Sequence, residues 1–236
     1  MHRLFRSALA LFALLAFAPT ASAQLVIEFP FVDAGDLPET ALMTRGPGPL
    51  SRIIGRISSP ADIDLFCINI INPAIFMATT VDTFGTLDDT QLFLFNQDGT
   101  GVVANDDAPD DALRSTIPAG FVTTPGRYFL GISAFDADPL GRVNPADPNS
   151  ELGFIFENTK FGAAVQRPIG PAGGDRVRAW SQTGFDFGFY TIDLTGTRVC
   201  VVAVPESGRV ALFAAGSLVL LGFALRHTRA KGMKPA

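Results

Sequence analysis

Between residues 24 and 205 the sequence contains no histidine and a single lysine, Lys160. Both histidines of the chain, His2 and His227, lie outside this segment. The segment therefore cannot form a Ser-His-Asp triad, a Cys-His dyad or a histidine-ligated zinc site. Chemistry that uses carboxylates alone is not excluded in this way. We accordingly expect a protein that is not an enzyme.

Positive charge is scarce in the same segment. It holds 11 Lys and Arg against 22 Asp and Glu, which gives a net charge of -11. A domain this acidic lacks the basic surface that binds phosphate backbones or anionic lipids. Nucleic acid is therefore not expected as a partner.

The first 23 residues have the order of parts of a secretory signal peptide. Arg3 and Arg6 are followed by the apolar residues 8–16 and by the small residues Ala21-Ser22-Ala23. We predict cleavage by signal peptidase, which would leave Gln24 as the new N-terminus. An uncleaved anchor helix is the alternative.

A second apolar segment lies near the other end, at residues 210–225. Its 16 residues fall a little short of the roughly 20 of a full transmembrane helix. Arg226, Arg229 and Lys231 follow it, which predicts a transmembrane segment with a cytoplasmic C-terminus and an exported N-terminal side. An ordinary membrane anchor would have the same pattern.

The chain has two cysteines, Cys67 and Cys200. In an oxidising compartment they are able to pair as a disulfide. Their spacing is equally compatible with two separate thiols, one of them buried in a strand.

Short apolar or alternating segments, bounded by Gly, Pro, Asn and Asp, indicate an all-β fold. We predict strands at 51–57, 64–70, 75–81, 90–95, 101–104, 114–117, 127–134 and 189–195. This spacing is typical of an antiparallel β-sandwich, jelly-roll-like in type. The predicted domain spans 51–197, after a lead-in at 24–50 and before a linker and tail at 198–236.

Residues 136–184 interrupt the strand pattern with segments rich in Pro and Gly. A connection this long is usually functional or mobile. We interpret it as a surface insertion; the alternative is a contact loop for a ligand or partner.

The stretch from Asp82 to Asp111 contains eight aspartates and no Lys or Arg. Oxygen ligands gathered on loops are suited to Ca²⁺. The candidate ligands in this stretch are Asp88, Asp89, Asn105, Asp106 and Asp107. Alternatively, these residues only end strands and cap turns. A glycosidase would need a desolvated acid, which we do not expect flexible acidic turns to provide.

An ordered set of motifs resembles the bacterial pre-peptidase C-terminal domain. The motifs include Asp62-Ile63-Asp64-Leu65-Phe66, Asn96-Gln97-Asp98-Gly99, Asn105-Asp106-Asp107 and Gly126-Arg127-Tyr128-Phe129. The resemblance covers residues 51–196 and implies a non-catalytic, jelly-roll-like sandwich. Some members of that family bind calcium or polymeric substrates, which implies Asp62 and Asp64 as ligands here.

The tail resembles the PEP-CTERM sorting signal, the substrate tag of exosortases in Gram-negative bacteria. The matching parts are Val204-Pro205-Glu206, the apolar segment and the basic end, with Ser207 where a second proline is usual. The resemblance implies transient anchoring in the inner membrane, followed by sorting to the cell surface or extracellular matrix. Our leading hypothesis is thus a structural or adhesive exported protein. A surface module that binds exopolysaccharide or a partner protein, with or without calcium, is the alternative.

Overall fold

A computed structural model describes residues 23–27, 33–111, 113–157, 164–181 and 185–202. The predicted signal peptide and the sorting tail lie outside these residues, apart from Ala23. Within the described part the fold is all-β, with a single 3-10 turn at Pro73–Ile75 and no α-helix. No helix in these ranges is long and apolar enough to cross a membrane.

Strands are numbered in chain order. They are β1 (Gln24–Ile27), β2 (Leu42–Met43), β3 (Arg45–Gly46), β4 (Leu50–Ile57), β5 (Asp64–Ile70), β6 (Met77–Thr79), β7 (Thr90–Asn96), β8 (Gly101–Asn105), β9 (Thr116–Ile117), β10 (Gly126–Ala134), β11 (Pro139–Arg142), β12 (Leu152–Phe154), β13 (Ala179–Trp180), β14 (Gly188–Thr195), β15 (Thr197–Val199) and β16 (Val201–Val202). Each of the eight predicted strands overlaps an observed one, and β5 has the predicted bounds. The predicted strand at 75–81 is shortened to β6 because its start forms the 3-10 turn.

Two large sheets contribute to one hydrophobic core. The first sheet has the order β1-β4-β14-β6-β9, and the second has β15-β5-β10-β7-β8, with β2 also paired to β5. Ile192 from the first sheet and Phe66, Leu94 and Leu130 from the second belong to the same buried cluster. This arrangement is consistent with the predicted β-sandwich.

The first sheet has one buried and one exposed face. Along β14, Tyr190 and Ile192 point into the core, while Phe189 is exposed and Asp193 is half-buried. On the outer face, Asp193 forms a two-bond ion pair with Arg52 of β4. The alternation is the ordinary pattern of an antiparallel sheet with one solvated face.

The second sheet is buried on both faces. Leu92 and Leu94 of β7 enter the core between the sheets, whereas Phe93 and Phe95 enter a second buried cluster on the opposite face. Cys67 of β5 points to this second cluster as well. A strand that is buried on both faces has no position for a solvated polar side chain. Residues 92–95 of β7 are accordingly all apolar.

Residues 136–184 provide much of the cover over that second face. The small sheet β12-β11-β13 lies within this region, and Ile155, Phe156 and Trp180 join the second cluster. The Trp180 ring meets Phe93 edge-on with centroids 5.2 Å apart. This region was expected to be a surface insertion, but its described residues form part of the hydrophobic core. Ile155, Phe156 and Trp180 are buried because the outer face of β7 is itself apolar.

A disulfide joins Cys67 of β5 to Cys200, which follows β15, with 5.5 Å between the Cα atoms. Thr44 reinforces the junction, since its hydroxyl donates to the Cys67 carbonyl (2.6 Å) and accepts from the Cys200 amide (2.8 Å). The bond closes a loop with a sequence separation of 133 residues. In the chain-entropy account, closing a loop of this size stabilises the fold by about 4–5 kcal/mol.

Candidate functional site

Acidic residues gather at one end of the second sheet. Because β10 is antiparallel to both β5 and β7, and β7 is antiparallel to β8, the starts of β5 and β7 lie beside the ends of β10 and β8. Each of these strand ends carries aspartates. We call the result the acidic rim; it consists of Asp33, Asp36, Asp62, Asp64, Asp89, Asp106, Asp107, Asp136, Asp138 and Asp186.

The first part of the rim is a triad of carboxylates at the start of β5. One oxygen each from Asp33, Asp62 and Asp64 lies within 4.8 Å of the others. Two ligands of one Ca²⁺ lie at most about 5 Å apart, since each Ca–O bond is about 2.3–2.6 Å. The three oxygens thus fit a hard divalent cation in both chemistry and spacing.

The triad is tied into the fold by hydrogen bonds. The Tyr190 hydroxyl donates to Oδ2 of the fully buried Asp64 at 2.6 Å, and the Ser58 amide donates to Oδ2 of Asp62 at 2.5 Å. Asp33 is exposed. Partial burial, followed by the charge of Asp62, raises the pKa values of Asp33 and Asp36. The triad is therefore a site of concentrated negative charge with one open side.

Asp33 and Asp36 were not among the residues predicted from sequence. They lie in the segment that was interpreted as a lead-in, and the Leu65 amide donates to the Ala34 carbonyl (3.1 Å), which fixes that segment beside β5. The Trp180 indole donates to the Asp36 carbonyl at 2.7 Å. These contacts cannot be predicted from a local sequence motif, because the partners are far apart in the chain.

The second part of the rim surrounds Asp89 and Asp106. Asp106 is 2% exposed, and burial, followed by the charges of Asp107, Asp89, Asp138 and Asp136, raises its pKa to about 8. Burial also raises the pKa of Asp89 to about 6, together with Asp107 and Asp186. The expectation that these turns contain no desolvated acid was wrong, because Asp106 follows β8 directly and is covered by neighbouring elements.

Two further candidates from the acidic stretch, Asp88 and Asn105, have other positions, as does Asp98, which was not a candidate. Asp88 is largely exposed and lies 3.8 Å from Arg114. Asn105 uses its side chain to hold the turn, because its Oδ1 accepts from the Thr116 amide (2.6 Å) and its Nδ2 donates to the Asp107 carbonyl (2.8 Å). Asp98 lies in the β7–β8 hairpin, at the opposite end of the sheet, where it accepts from Thr100.

An exposed aromatic row borders the second part of the rim. Phe185, Phe187 and Phe189, at alternate positions leading into β14, are 83%, 53% and 40% exposed. Phe84 is 93% exposed and belongs to a turn held against β14, since the Thr86 amide donates to the Phe189 carbonyl at 2.7 Å. We call these four side chains the phenylalanine row.

No protein-family model matches the chain, and no curated protein is significantly similar to it.

Proposed function

We propose that this protein is a non-enzymatic component of a Gram-negative cell envelope, exported and then held at the cell surface or in the extracellular matrix. Its β-sandwich, which we propose to be jelly-roll-like and related to the pre-peptidase C-terminal domain, would have a structural or adhesive role. The observation that carries the proposal is the disulfide between Cys67 and Cys200, because such bonds persist in oxidising compartments and are rare in the cytosol.

Processing at both ends is part of the proposal. Signal peptidase would release Gln24, and an exosortase would recognise Val204-Pro205-Glu206 together with the apolar segment behind it. Cys200 precedes Val204 by four residues. Removal of the tail near Pro205 would therefore leave the disulfide and every described strand in the exported product.

Calcium is a proposed component of this role. The Asp33–Asp62–Asp64 triad supplies three carboxylate oxygens in a compact group, and a bound Ca²⁺ would relieve their mutual repulsion. The cation would join the lead-in segment to the start of β5.

Intact-mass analysis tests the proposed processing. The protein is isolated from a host that has an exosortase and from the same host without it. We expect the first mass to correspond to a chain that starts at Gln24 and ends near Pro205, and the second to retain the tail. A variant in which Pro205 and Glu206 are both alanine is expected to retain the tail in both hosts. Retention through Ala236 in the exosortase-positive host would reduce the tail to a simple anchor.

The phenylalanine row favours a second candidate function, which is binding of a neutral polysaccharide. Exposed aromatic side chains in a row offer flat apolar surfaces to sugar rings, and the carboxylate of Asp186 beside them accepts hydrogen bonds from hydroxyls. Retention of the protein on a purified, immobilised neutral extracellular polysaccharide tests this candidate function. We expect the double variant Phe185→Ser, Phe187→Ser to lose retention, while the control Ile169→Ser, exposed outside the row, keeps it. Equal retention by all three proteins would remove this candidate.

A further inference from the structure

Two carboxylate oxygens are buried at the second part of the acidic rim without hydrogen-bond donors. Among the described residues, no donor reaches Oδ1 of Asp89 or Oδ1 of Asp106. The Asp106 side chain is almost completely removed from solvent. A buried carboxylate oxygen without a partner costs more than an ordinary unsatisfied group, since the charge itself is desolvated. A proton, a water molecule or a cation is able to satisfy these oxygens.

The fold itself brings the two residues together. Asp89 immediately precedes β7, and Asp106 immediately follows β8. In the antiparallel pair, Leu92 of β7 lies opposite Asn105 of β8, so Asp106 faces Gln91. Asp89 precedes β7 and is the next residue on the same side; its charge acts on Asp106. The end of β10 lies on the other side, with Ala134 opposite Thr90, and it leads into Asp136 and Asp138.

The charges that face the pair are almost all negative. Asp106 interacts with Asp107, Asp138 and Asp136 in addition to Asp89. Arg114 is the cation that acts on Asp89, but its guanidinium is engaged elsewhere: Nη1 donates to the Leu87 carbonyl at 2.6 Å, and Nη2 lies 3.8 Å from Asp88. Burial first, and then these negative neighbours, raise the pKa values of both aspartates. A proton neutralises one carboxyl at a time, whereas a divalent cation neutralises two.

We propose that Asp89 and Asp106 form the centre of a Ca²⁺ site that is distinct from the Asp33–Asp62–Asp64 triad. Their Oδ1 atoms would be ligands, the charges of Asp107 and Asp186 act on Asp89, and backbone carbonyls and water would complete the coordination. Ca²⁺ suits this position better than Mg²⁺, because it accepts six to eight oxygens in irregular geometry, including carbonyls and water.

The two sites would flank β10 at the same end of one sheet. The start of β5 and the start of β7 are separated by one strand, which corresponds to about 10 Å. A cation at the second site would fasten the ends of β7 and β8 to each other. The acidic rim would then be a pair of calcium sites on one rigid sheet end.

Calcium titration of the full-length chain, purified in a mild detergent, tests the proposal. Isothermal titration calorimetry with CaCl₂, in a background of MgCl₂, gives the number of ions bound. We expect Asp106→Asn and, separately, Asp89→Asn to bind one Ca²⁺ fewer per chain than the unmodified protein. Asp62→Asn would instead lose the ion of the triad, so the two sites are counted independently.

Asp110→Asn is the matched control, since Asp110 is exposed in the same acidic stretch. It is expected to bind as many ions as the unmodified protein. Asparagine copies the shape of a protonated aspartate, and thermal melting in EDTA verifies that each variant folds. The proposal is overturned if the unmodified protein binds no Ca²⁺, if Asp106→Asn and Asp89→Asn leave the number unchanged, or if Asp110→Asn reduces it equally.

Discussion

The two halves of the acidic rim are made of the same residue type at the same end of one sheet, yet their environments differ. At the triad, the Tyr190 hydroxyl and the Ser58 amide donate to Asp64 and Asp62, and Asp33 is exposed. At the second site Asp106 is also buried, and although no described donor reaches Oδ1 of either Asp64 or Asp106, Asp64 has the Tyr190 hydroxyl on its other oxygen. Burial alone does not decide the charge of a carboxyl; the donors that the fold aims at it matter as much.

The difference has a structural origin. In the triad, Asp33 and Asp62 lie outside the strands, whereas Asp64 is the first residue of β5 and receives its donor, the Tyr190 hydroxyl, from β14 of the other sheet. The second site collects residues that directly adjoin paired strands, where the Asn105 amide group and neighbouring backbone groups already bond each other. At the second site, by contrast, no described side chain donates to Oδ1 of Asp89 or Oδ1 of Asp106.

The largest expected effect is a dependence of stability on pH in the absence of calcium. Asp106 keeps its proton up to about pH 8 in the folded state but loses it near pH 4 when unfolded. The folded state therefore binds more protons between these values, and stability falls as pH rises through this window. In EDTA we expect a loss of about 2 kcal/mol between about pH 6 and about pH 8.

Urea denaturation at a series of pH values measures this loss. Asp106→Asn removes the titrating group, so we expect its free energy of unfolding to vary less with pH. Asp110→Asn is expected to keep the pH dependence of the unmodified protein. A stability that rises over the same pH range in EDTA would contradict the assignment of a protonated Asp106.

The next largest change in stability is expected from a substitution that removes a hydrogen-bond donor from the triad, so that the triad resembles the second site. Tyr190→Phe deletes the hydroxyl that donates to the buried Asp64. Because the acceptor is a carboxylate in the interior, we expect a loss of about 1.5 kcal/mol in the free energy of unfolding. Chemical denaturation at neutral pH gives the value.

Tyr128→Phe is the control, since that hydroxyl donates to a neutral backbone acceptor, the Thr124 carbonyl, at 2.7 Å. Its loss is expected to be smaller. A larger loss for Tyr128→Phe than for Tyr190→Phe would show that the triad does not depend on its donor.

The smallest effect concerns the exposed member of the triad. Asp33→Asn removes one negative charge next to Asp62, and at an exposed position we expect a change in calcium-free stability below about 0.5 kcal/mol. We nevertheless expect the Asp33→Asn variant to bind Ca²⁺ at the triad more weakly, because one of the three carboxylates is lost. Thermal melting with and without CaCl₂ separates the two: a large shift in EDTA would mean that Asp33 has a structural role beyond the site.

Much of the sheet framework follows from local pattern. Residues 64–70 and 127–134 alternate or run apolar between turn residues, and Gly99 in the β7–β8 hairpin has the positive φ of 86° that its turn requires. The burial of β7 on both faces could also have been predicted from the sequence, because Leu92-Phe93-Leu94-Phe95 has no polar side chain on either face. That run should have indicated a covering layer, which residues 136–184 help to provide.

The sites were less accessible to sequence reasoning. Asp62 and Asp64 were identified through a resemblance, but their partner Asp33 lies in a segment without a local motif. Asp186 reaches the Asp88 amide (3.3 Å) across 98 residues. Such contacts depend on which strands pair, and the burial of Asp106 depends on what covers the sheet end. Neither property is encoded in the spacing of the aspartates themselves.

The disulfide has a mechanical consequence for a protein held by its C-terminal end. β15 is an edge strand that tension from the tail would peel away one hydrogen bond at a time. Because Cys200 follows β15 and is bonded to Cys67, such tension passes through a covalent bond into β5, a strand with neighbours on both sides. The load then reaches a strand that pairs with β10 along its whole length, instead of the short edge strand β15. If the exported protein is held by its C-terminal end, as proposed above, pulling on that end loads β5 through the disulfide before β15 separates from the sheet.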